Sequence, residues 1–394
     1  MNSYIQWIFN ENKCEDNKYL KDFSDEKLDI VKKFHKSIPG YKPTPLYRLD
    51  NLSKKLKINN LYVKDESERF GLNAFKALGA TYAIFKYICK ELNLDPKSTT
   101  FDILKSDKVK NKLDDITFVT ATDGNHGKAV AWACNRLGFE SFVFLPKGSS
   151  ENRLNAIKDE GAYGEITDYN YDQTVCLAKK YADSHNGVVI QDTAWEGYEE
   201  IPLWIIQGYT TIMEEIVNQI EKDKITHIFL QAGVGSFASA MVGYIVKNYL
   251  KDIPKIIIVE PHEADCIYKS AKEKKRTVVK GDLDTLMVGL ACGEPNIIAW
   301  DILKDYSDAF LSVSDELTKD GMKTLANPIS NDKKIISGES GAVGIGILKE
   351  ILLDNPDKYS NLKDDLDLNF QSNVLVISTE GDTDPDIYQK IINE

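Results

Sequence analysis

Ile225-Thr226-His227-Ile228-Phe229-Leu230-Gln231-Ala232-Gly233-Val234-Gly235-Ser236-Phe237-Ala238 is the stretch on which the fold turns. Its first half is an apolar, β-rich run that reads as a buried strand. Two glycines then mark a tight turn, and an apolar pattern with helical spacing follows. Strand, glycine turn and helix start together make an anion cradle from backbone N–H groups and the helix dipole. The same residues fit the relaxed dinucleotide fingerprint, Gly233-x-Gly235-x-x-Ala238, with Glu260 at the ribose-binding offset. A phosphate cradle, a dinucleotide site and a purely structural turn are all open at this point. Against a dinucleotide enzyme stands the position of the turn, deep in the chain behind a complete α/β region.

Outward from this stretch, apolar runs alternate with amphipathic patterns. The expected strands are 61–64, 116–120, 141–145, 187–190, 227–230, 255–259 and 374–378. The expected helices are 125–137, 150–160, 172–185, 202–219 and 237–249. Such alternation predicts βαβ units and mainly parallel sheet, with ligands bound beyond the carboxyl ends of the strands. Composition shifts near Tyr82 and Thr193 predict a large domain of residues 1–82 and 193–394. A smaller α/β domain of 83–192 is inserted into it, and the active site is expected in the cleft between them.

The chain has 394 residues and a net charge of -12, which argues against nucleic acid as a partner because phosphate neutralisation needs a basic face. No stretch has the apolar length of a membrane span. Met1 to Asn12 lacks the pattern of a secretory signal, so a cytoplasmic location is expected. Cys14, Cys89, Cys134, Cys176, Cys266 and Cys292 are scattered and form no C-x-x-C pair. They read as reduced thiols, and no metal site is expected. Cys266 and Cys292 each follow a strand or loop junction, where they can approach one another. The charged stretches 272–276 and 363–367 read as solvated.

Chemistry concentrates in a few motifs. Lys76 stands in Ser67-Glu68-Arg69-Phe70-Gly71-Leu72-Asn73-Ala74-Phe75-Lys76-Ala77-Leu78-Gly79-Ala80, between a strand and an apolar helical pattern. An amine held between Phe75 and Leu78 at a helix start is desolvated, which favours its neutral, nucleophilic form. The alternative is a lysine that snorkels from a surface helix. Ala121-Thr122-Asp123-Gly124-Asn125-His126-Gly127-Lys128 follows a strand and opens a helix. There Asp123 is a proton-transfer group or an N-cap, Asn125 a ligand donor or a turn residue, and His126 a packing or loop-orienting residue. Val376-Ile377-Ser378-Thr379-Glu380-Gly381-Asp382 ends a buried strand in a hydroxyl pair, where Thr379 faces a ring nitrogen or caps the turn. Ser337-Gly338-Glu339-Ser340-Gly341-Ala342 is either a helix cap or a wall of the site.

Taken together, these motifs resemble the fold type II pyridoxal-phosphate enzymes, the tryptophan synthase β-like group that includes the threonine and serine dehydratases. The phrases K-D-E-S-E-R-F-G-L-N-A-F-K-A-L-G-A, A-T-D-G-N-H-G-K-A-V-A-W-A, Q-D-T-A-W-E-G-Y-E-E-I-P-L-W-I-I-Q-G-Y, Q-A-G-V-G-S and S-T-E-G-D-T-D resemble the diaminopropionate ammonia-lyase family in particular. The resemblance runs from about Tyr41 to the C-terminus. It implies an α/β protein with two open twisted, mainly parallel sheets flanked by helices, and pyridoxal 5'-phosphate as cofactor. It further implies that Lys76 carries the cofactor covalently, with Phe75 beside it, and that Asn125 bonds the phenolic oxygen. Gly233, Val234, Gly235 and Ser236 hold the phosphate, and Thr379 faces the pyridine nitrogen. Asp123 and Asp192 are the proton-transfer carboxylates for substrates of opposite handedness. Simple dehydratases of this fold commonly carry serine where Asp123 stands.

The activity so implied is α,β-elimination of 2,3-diaminopropionate to pyruvate and two ammonia, by a homodimer. A neutral hydroxyl at Thr379, in place of a carboxylate, implies an unprotonated ring nitrogen and a milder electron sink. The competing readings are a serine or threonine dehydratase of the same fold, a nicotinamide-dependent dehydrogenase, and a non-catalytic amino-acid sensor that keeps the cofactor.

Overall fold

A computed structural model describes residues 4–11, 13–14, 16–113, 115–122, 124–220, 223–248 and 252–394. The chain divides into two compact units. One comprises Met1–Lys21, Pro43–Phe75 and Ile212–Glu394, and the other Asp22–Lys42 and Lys76–Thr211. Relative to boundaries near Tyr82 and Thr193, the second unit also takes in 22–42, 76–82 and 193–211.

Among the described residues the strands are β1 (Ile5–Phe9), β2 (Leu46–Arg48), β3 (Asn60–Asp65), β4 (Thr117–Ala121), β5 (Glu140–Leu145), β6 (Tyr163–Ile166), β7 (Gly187–Val189), β8 (His227–Gln231), β9 (Lys255–Pro261), β10 (Ala309–Val313) and β11 (Asn373–Ser378). The first unit holds a sheet in the order β1-β10-β9-β8-β11-β3-β2. It is parallel except at its two edges, where β1 pairs antiparallel with β10 and β2 with β3. Its central strands are buried on both faces, which is why they read as continuous apolar runs and not as alternating ones. Leu61, Val63, Phe229, Ile257, Val374 and Val376 belong to one core, each such side chain contributing roughly 1.5–3 kcal/mol of burial. The register sets Ser378 beside Asp65 and Val376 beside Phe229, so β3, β8 and β11 finish at the same edge of the sheet.

The second unit holds the all-parallel sheet β6-β5-β4-β7. One face packs Val143 and Leu145 against Ala131, Leu154 and Ile157. The other packs Val119, Ala121 and Phe144 against Ala178 and Ala182. The helix Asn125–Leu137 stops where Gly138, at φ +81, takes the left-handed cap conformation that glycine adopts without strain.

The expected helix 202–219 is two helices, Glu200–Tyr209 and Thr211–Gln219. At the break, Thr210 Oγ1 donates to the Gln207 carbonyl (2.6 Å), which the Thr210 N–H also bonds (3.0 Å). This tightens the last turn and ends the α ladder. The helix expected at 237–249 is Ser236–Asn248, and Tyr249 lies outside the described residues. Strands β1, β2, β6 and β10 were not among the expected ones. Among the described residues no helix is long and apolar enough to cross a membrane.

Candidate active site

In the first unit the segment that leads to Lys76 is anchored by buried charge. Lys64 on β3 donates to Glu215 Oε2 (2.7 Å), the Thr44 carbonyl (2.8 Å) and Gln219 Oε1 (2.9 Å). Arg69 donates to both oxygens of Glu215 (2.7 and 2.8 Å) and both of Glu66 (2.9 Å each). Lys64, Glu66, Arg69 and Glu215 are all buried, two cations against two anions. Burial pushes the Glu215 carboxyl up, but Arg69 and Lys64 outweigh it and hold the group down at about 2. Burial pulls the Lys64 amine down, against the opposing pull of Glu66 and Glu215. The short helix Glu66–Gly71 is therefore fixed at its base.

Beyond it the chain is clipped to the end of β11. The Gly381 N–H donates to the Asn73 carbonyl (3.0 Å), and the Phe75 N–H donates to the Thr379 carbonyl (3.2 Å). Asn73 Nδ2 donates to Asp382 Oδ1 (3.0 Å), and Asn73 takes φ +62, a conformation asparagine tolerates. A Cβ on Gly381 would stand 2.1 Å from Asn73 Oδ1 and 3.0 Å from Ser67 Cβ, so any larger residue would push the Asn73 amide out of place. The G-L-N-A-F-K and S-T-E-G-D motifs thus meet, and Phe75 also packs on Phe237 with ring centroids 4.8 Å apart.

Phe237 follows the glycine turn between β8 and the helix Ser236–Asn248. The first amides of that helix have no intrahelical acceptor by geometry, which suits them to an anion. Gly235 takes φ +94, and a Cβ on it would lie 3.0 Å from Ala299 Cβ and from Ile267 Cδ1. Asn296, fully buried, braces the turn from outside. Its N–H bonds the Val234 carbonyl (2.9 Å), and Nδ2 donates to Ser236 Oγ (2.9 Å). Two thiols also close on Gly233. Cys266 Sγ is 3.9 Å from the Gly233 carbonyl, a Cβ at Gly233 would be 3.1 Å from Cys292 Sγ, and both cysteines are thiols, not joined in a disulfide. At the end of β8, Gln231 Nε2 donates to the Ile377 carbonyl (2.8 Å) and to Thr379 Oγ1 (3.0 Å). Among the described residues, the proton of that buried Thr379 hydroxyl finds no acceptor.

Glu260, which the dinucleotide reading puts on a ribose, is buried and occupied. Its carboxyl accepts the N–H groups of Ile267 (2.9 Å) and Tyr268 (2.6 Å) at the start of the helix Cys266–Glu273. Burial raises its pKa well above the usual carboxylate range.

In the second unit Lys76 stands at the N-cap of the helix Ala77–Glu91, and its Nζ lies 2.5 Å from Asp192 Oδ2. The desolvation expected for this amine is thus met by an ion pair. Burial pushes the Asp192 carboxyl up, yet the charge of Lys76 outweighs burial and holds it at about 2. His126 Nε2 sits 2.7 Å from the Ile190 carbonyl, so that nitrogen carries the proton. Nδ1 is then a bare lone pair, buried and, among the described residues, without a hydrogen-bond partner, 3.9 Å from Asp192 Oδ2. Burial keeps this imidazole neutral. Asn125 is the first residue of the helix Asn125–Leu137, next to the turn in which Thr122 Oγ1 accepts the Gly124 N–H (3.0 Å). Asp123 lies outside the described residues.

Sequence reading assigned no role to Gln231, Asn296 or the quartet around Arg69. Only Asn296 left a local signal, an asparagine before the apolar helix Ile297–Tyr306, whose Oδ1 accepts the Ile298 N–H (2.8 Å). Apart from Glu66 with Arg69, the other partnerships join residues far apart in the chain.

These features suit pyridoxal 5'-phosphate. Amides and dipole at a helix start suit a phosphate, the buried Thr379 hydroxyl has a proton to give a ring nitrogen, and Lys76 carries an amine that can condense with an aldehyde. The comparisons agree. Residues 38–360 match the family described as "Pyridoxal-phosphate dependent enzyme". Diaminopropionate ammonia-lyase of Salmonella typhimurium is 49% identical over 365 residues, covering 91% of this chain and 90% of the relative. The holo crystal structure of the Escherichia coli diaminopropionate ammonia-lyase superposes with a TM-score of 0.91 at 44% identity, covering 98% of this chain and 96% of that one. The E. coli enzyme in complex with an aminoacrylate–PLP azomethine reaction intermediate superposes with a TM-score of 0.90 at 43% identity over the same shares. With a relative of such identity along nine-tenths of both chains, and a cradle, a lysine and a strand-end hydroxyl in keeping with it, this chain belongs to the pyridoxal-phosphate dependent enzymes and, within them, to the diaminopropionate ammonia-lyase family.

Proposed function

We propose that this chain catalyses the α,β-elimination of 2,3-diaminopropionate to pyruvate and two ammonia, as a carbon–nitrogen lyase that uses pyridoxal 5'-phosphate. The observation that carries this reading is the pairing of Lys76 Nζ with Asp192 Oδ2, an amine at a helix start beside a carboxylate kept ionised. When bound, the cofactor supplies an electron sink that acidifies the Cα–H of an attached amino acid.

The residues divide the remaining work. Lys76 bears the cofactor, with Phe75 beside it. Gly233, Val234, Gly235 and Ser236 take the phosphate at the helix start, where amides and dipole favour an anion. Asn125 donates to the phenolic oxygen, and Thr379 meets the ring nitrogen. Asp192 Oδ2 is ionised at neutral pH and can take up a proton, as Asp123 does for substrate of the other hand. His126 presents Nδ1 to Asp192, so a proton arriving on that carboxyl has a buried acceptor close by. The β-nitrogen leaves readily only as neutral ammonia, which requires that it be protonated beforehand. Lys76 Nζ and Asp192 Oδ2 are the groups able to manage that proton.

A cytoplasmic location belongs to the same reading, supported by the scattered free thiols, as does the homodimer that the family resemblance implies. The test is turnover of both enantiomers of diaminopropionate and of serine, with pyruvate and ammonia both counted. The expected result is two ammonia per pyruvate from diaminopropionate, turnover above that of serine, and none in Lys76→Ala. Faster turnover of serine, or activity retained in Lys76→Ala, would overturn the assignment.

A further inference from the structure

Gln231 ends β8, and its carboxamide is buried with Thr379. The atom 2.8 Å from the Ile377 carbonyl has to be the nitrogen, because a carbonyl oxygen only accepts. The same nitrogen lies 3.0 Å from Thr379 Oγ1, so its second hydrogen is directed at the hydroxyl oxygen. Thr379 Oγ1 is therefore an acceptor toward Gln231, and its own proton points elsewhere. Among the described residues nothing accepts that proton, although the side chain is buried. A buried donor left without an acceptor costs about 1–3 kcal/mol, so the arrangement makes sense where a ligand supplies the acceptor.

We propose that Gln231 is a positioning residue that fixes the direction of the Thr379 hydroxyl, so that its proton is presented to the cofactor's ring nitrogen and that nitrogen is held as an unprotonated acceptor. The inference rests on the reading of Thr379 given above and adds what sets the sense of its hydrogen bond. A threonine alone is ambivalent, since its hydroxyl donates to a bare ring nitrogen or accepts from a protonated one. Gln231 takes one of the oxygen's two lone pairs, and were the other to accept from a protonated ring nitrogen, the hydroxyl proton would stay buried without an acceptor, so the second choice is disfavoured. Glutamine suits the position because one nitrogen carries two hydrogens, enough for both the Ile377 carbonyl and Thr379. A glutamate has at most one hydrogen to give, so one of its oxygens would draw the threonine proton to itself. The anchor on Ile377 is main chain of β11 and does not depend on a further side chain.

The test measures binding of pyridoxal 5'-phosphate and of its 1-deaza analogue, whose ring C–H accepts no hydrogen bond, to the full-length apo protein. The wild type is expected to prefer pyridoxal 5'-phosphate by about tenfold, the worth of one hydrogen bond. Thr379→Val should abolish the preference. Gln231→Glu should abolish it too, because the hydroxyl proton turns to the carboxyl group. Gln231→Leu should lower it to roughly twofold to fourfold, because the hydroxyl is then free to rotate. In a Thr379→Val background neither Gln231 variant should change the ratio further. A tenfold ratio that survives both Gln231 variants but not Thr379→Val would overturn the role of Gln231 and leave that of Thr379 intact. A ratio that survives Thr379→Val would overturn the underlying reading, and this proposal with it. Gln231→Leu carries the test should Gln231→Glu fail to fold.

Discussion

Replacing Asp192 by asparagine tests the charge balance on which the site depends. Asp192 Oδ2 accepts from Lys76 Nζ at 2.5 Å and faces His126 Nδ1 at 3.9 Å. Burial disfavours the carboxylate, yet the charge of Lys76 outweighs it and brings the group from 3.8 to about 2. That displacement corresponds to roughly 2.5 kcal/mol in favour of the ionised form. The Lys76 side chain is 21% exposed, so solvent screening brings the expected loss in Asp192→Asn down to about 2 kcal/mol at pH 7. The sign follows from linkage. A carboxyl whose folded pKa is depressed contributes its full stability above the unfolded value, and loses it as pH falls toward the folded value. Urea unfolding of the apo protein should therefore show a wild-type advantage that is flat from pH 7 to about 5 and shrinks as pH falls from about 4 toward 2. An advantage below about 0.5 kcal/mol at pH 7, or one that does not change with pH, would refute the argument.

Two further outcomes are expected. Arg69→Met leaves Glu66 and Glu215 buried together without their shared cation and should cost about 3–5 kcal/mol in urea unfolding. A loss under 1 kcal/mol would mean that the quartet is not what secures the segment before Lys76. Asp123→Asn and Asp192→Asn should each depress kcat mainly for one enantiomer of diaminopropionate, and for opposite ones, by at least about tenfold. Equal losses on both enantiomers in both variants would dispose of separate bases.

What was legible in the sequence was what local pattern encodes. The helix Asn125–Leu137 lies where its glycine boundaries and apolar spacing put it, and β5, β8, β9 and β11 fall within two residues of their expected limits. Their buried faces leave no ambiguity of period. β6, Tyr163–Ile166, is a mostly solvated sheet edge of low apolar content and gives no such signal. β1 is visible only through its partner, since Ile5 pairs with Val313 at the other end of the chain. The charged residues from Asp65 to Arg69, just past the expected strand 61–64, carry no local sign of burial; Thr44 and Glu215, brought against them by the fold, supply it. In the sequence Gln231 shows only its place beside a glycine turn, since its partners lie 146 and 148 residues further on. Local pattern located the chemistry, while the groups that orient it act through contacts that only the folded chain makes.

Those orienting groups share a logic. Gln231 donates to Thr379 and Asn296 donates to Ser236, in each case a carboxamide whose orientation is set by main chain. The Ile377 carbonyl fixes the first amide, and the Ile298 N–H, by bonding Oδ1, fixes the second. A lysine or arginine at either place would also direct a hydroxyl, and would hold a phosphate more strongly. It would, however, add a full positive charge beside the site, where low dielectric magnifies its field. Such a field disfavours protonation of every nearby basic nitrogen and deepens the electron sink without discrimination. Neutral amides set direction and leave the potential to the charges that have to move, Lys76 and Asp192. In the second unit His126 obeys the same rule. Its tautomer is dictated by the Ile190 carbonyl, it stays neutral through burial, and it meets a carboxylate with a lone pair and no charge. Gln231, Asn296 and His126 thus contribute orientation without charge, while Lys76 and Asp192 carry the charges that exchange protons.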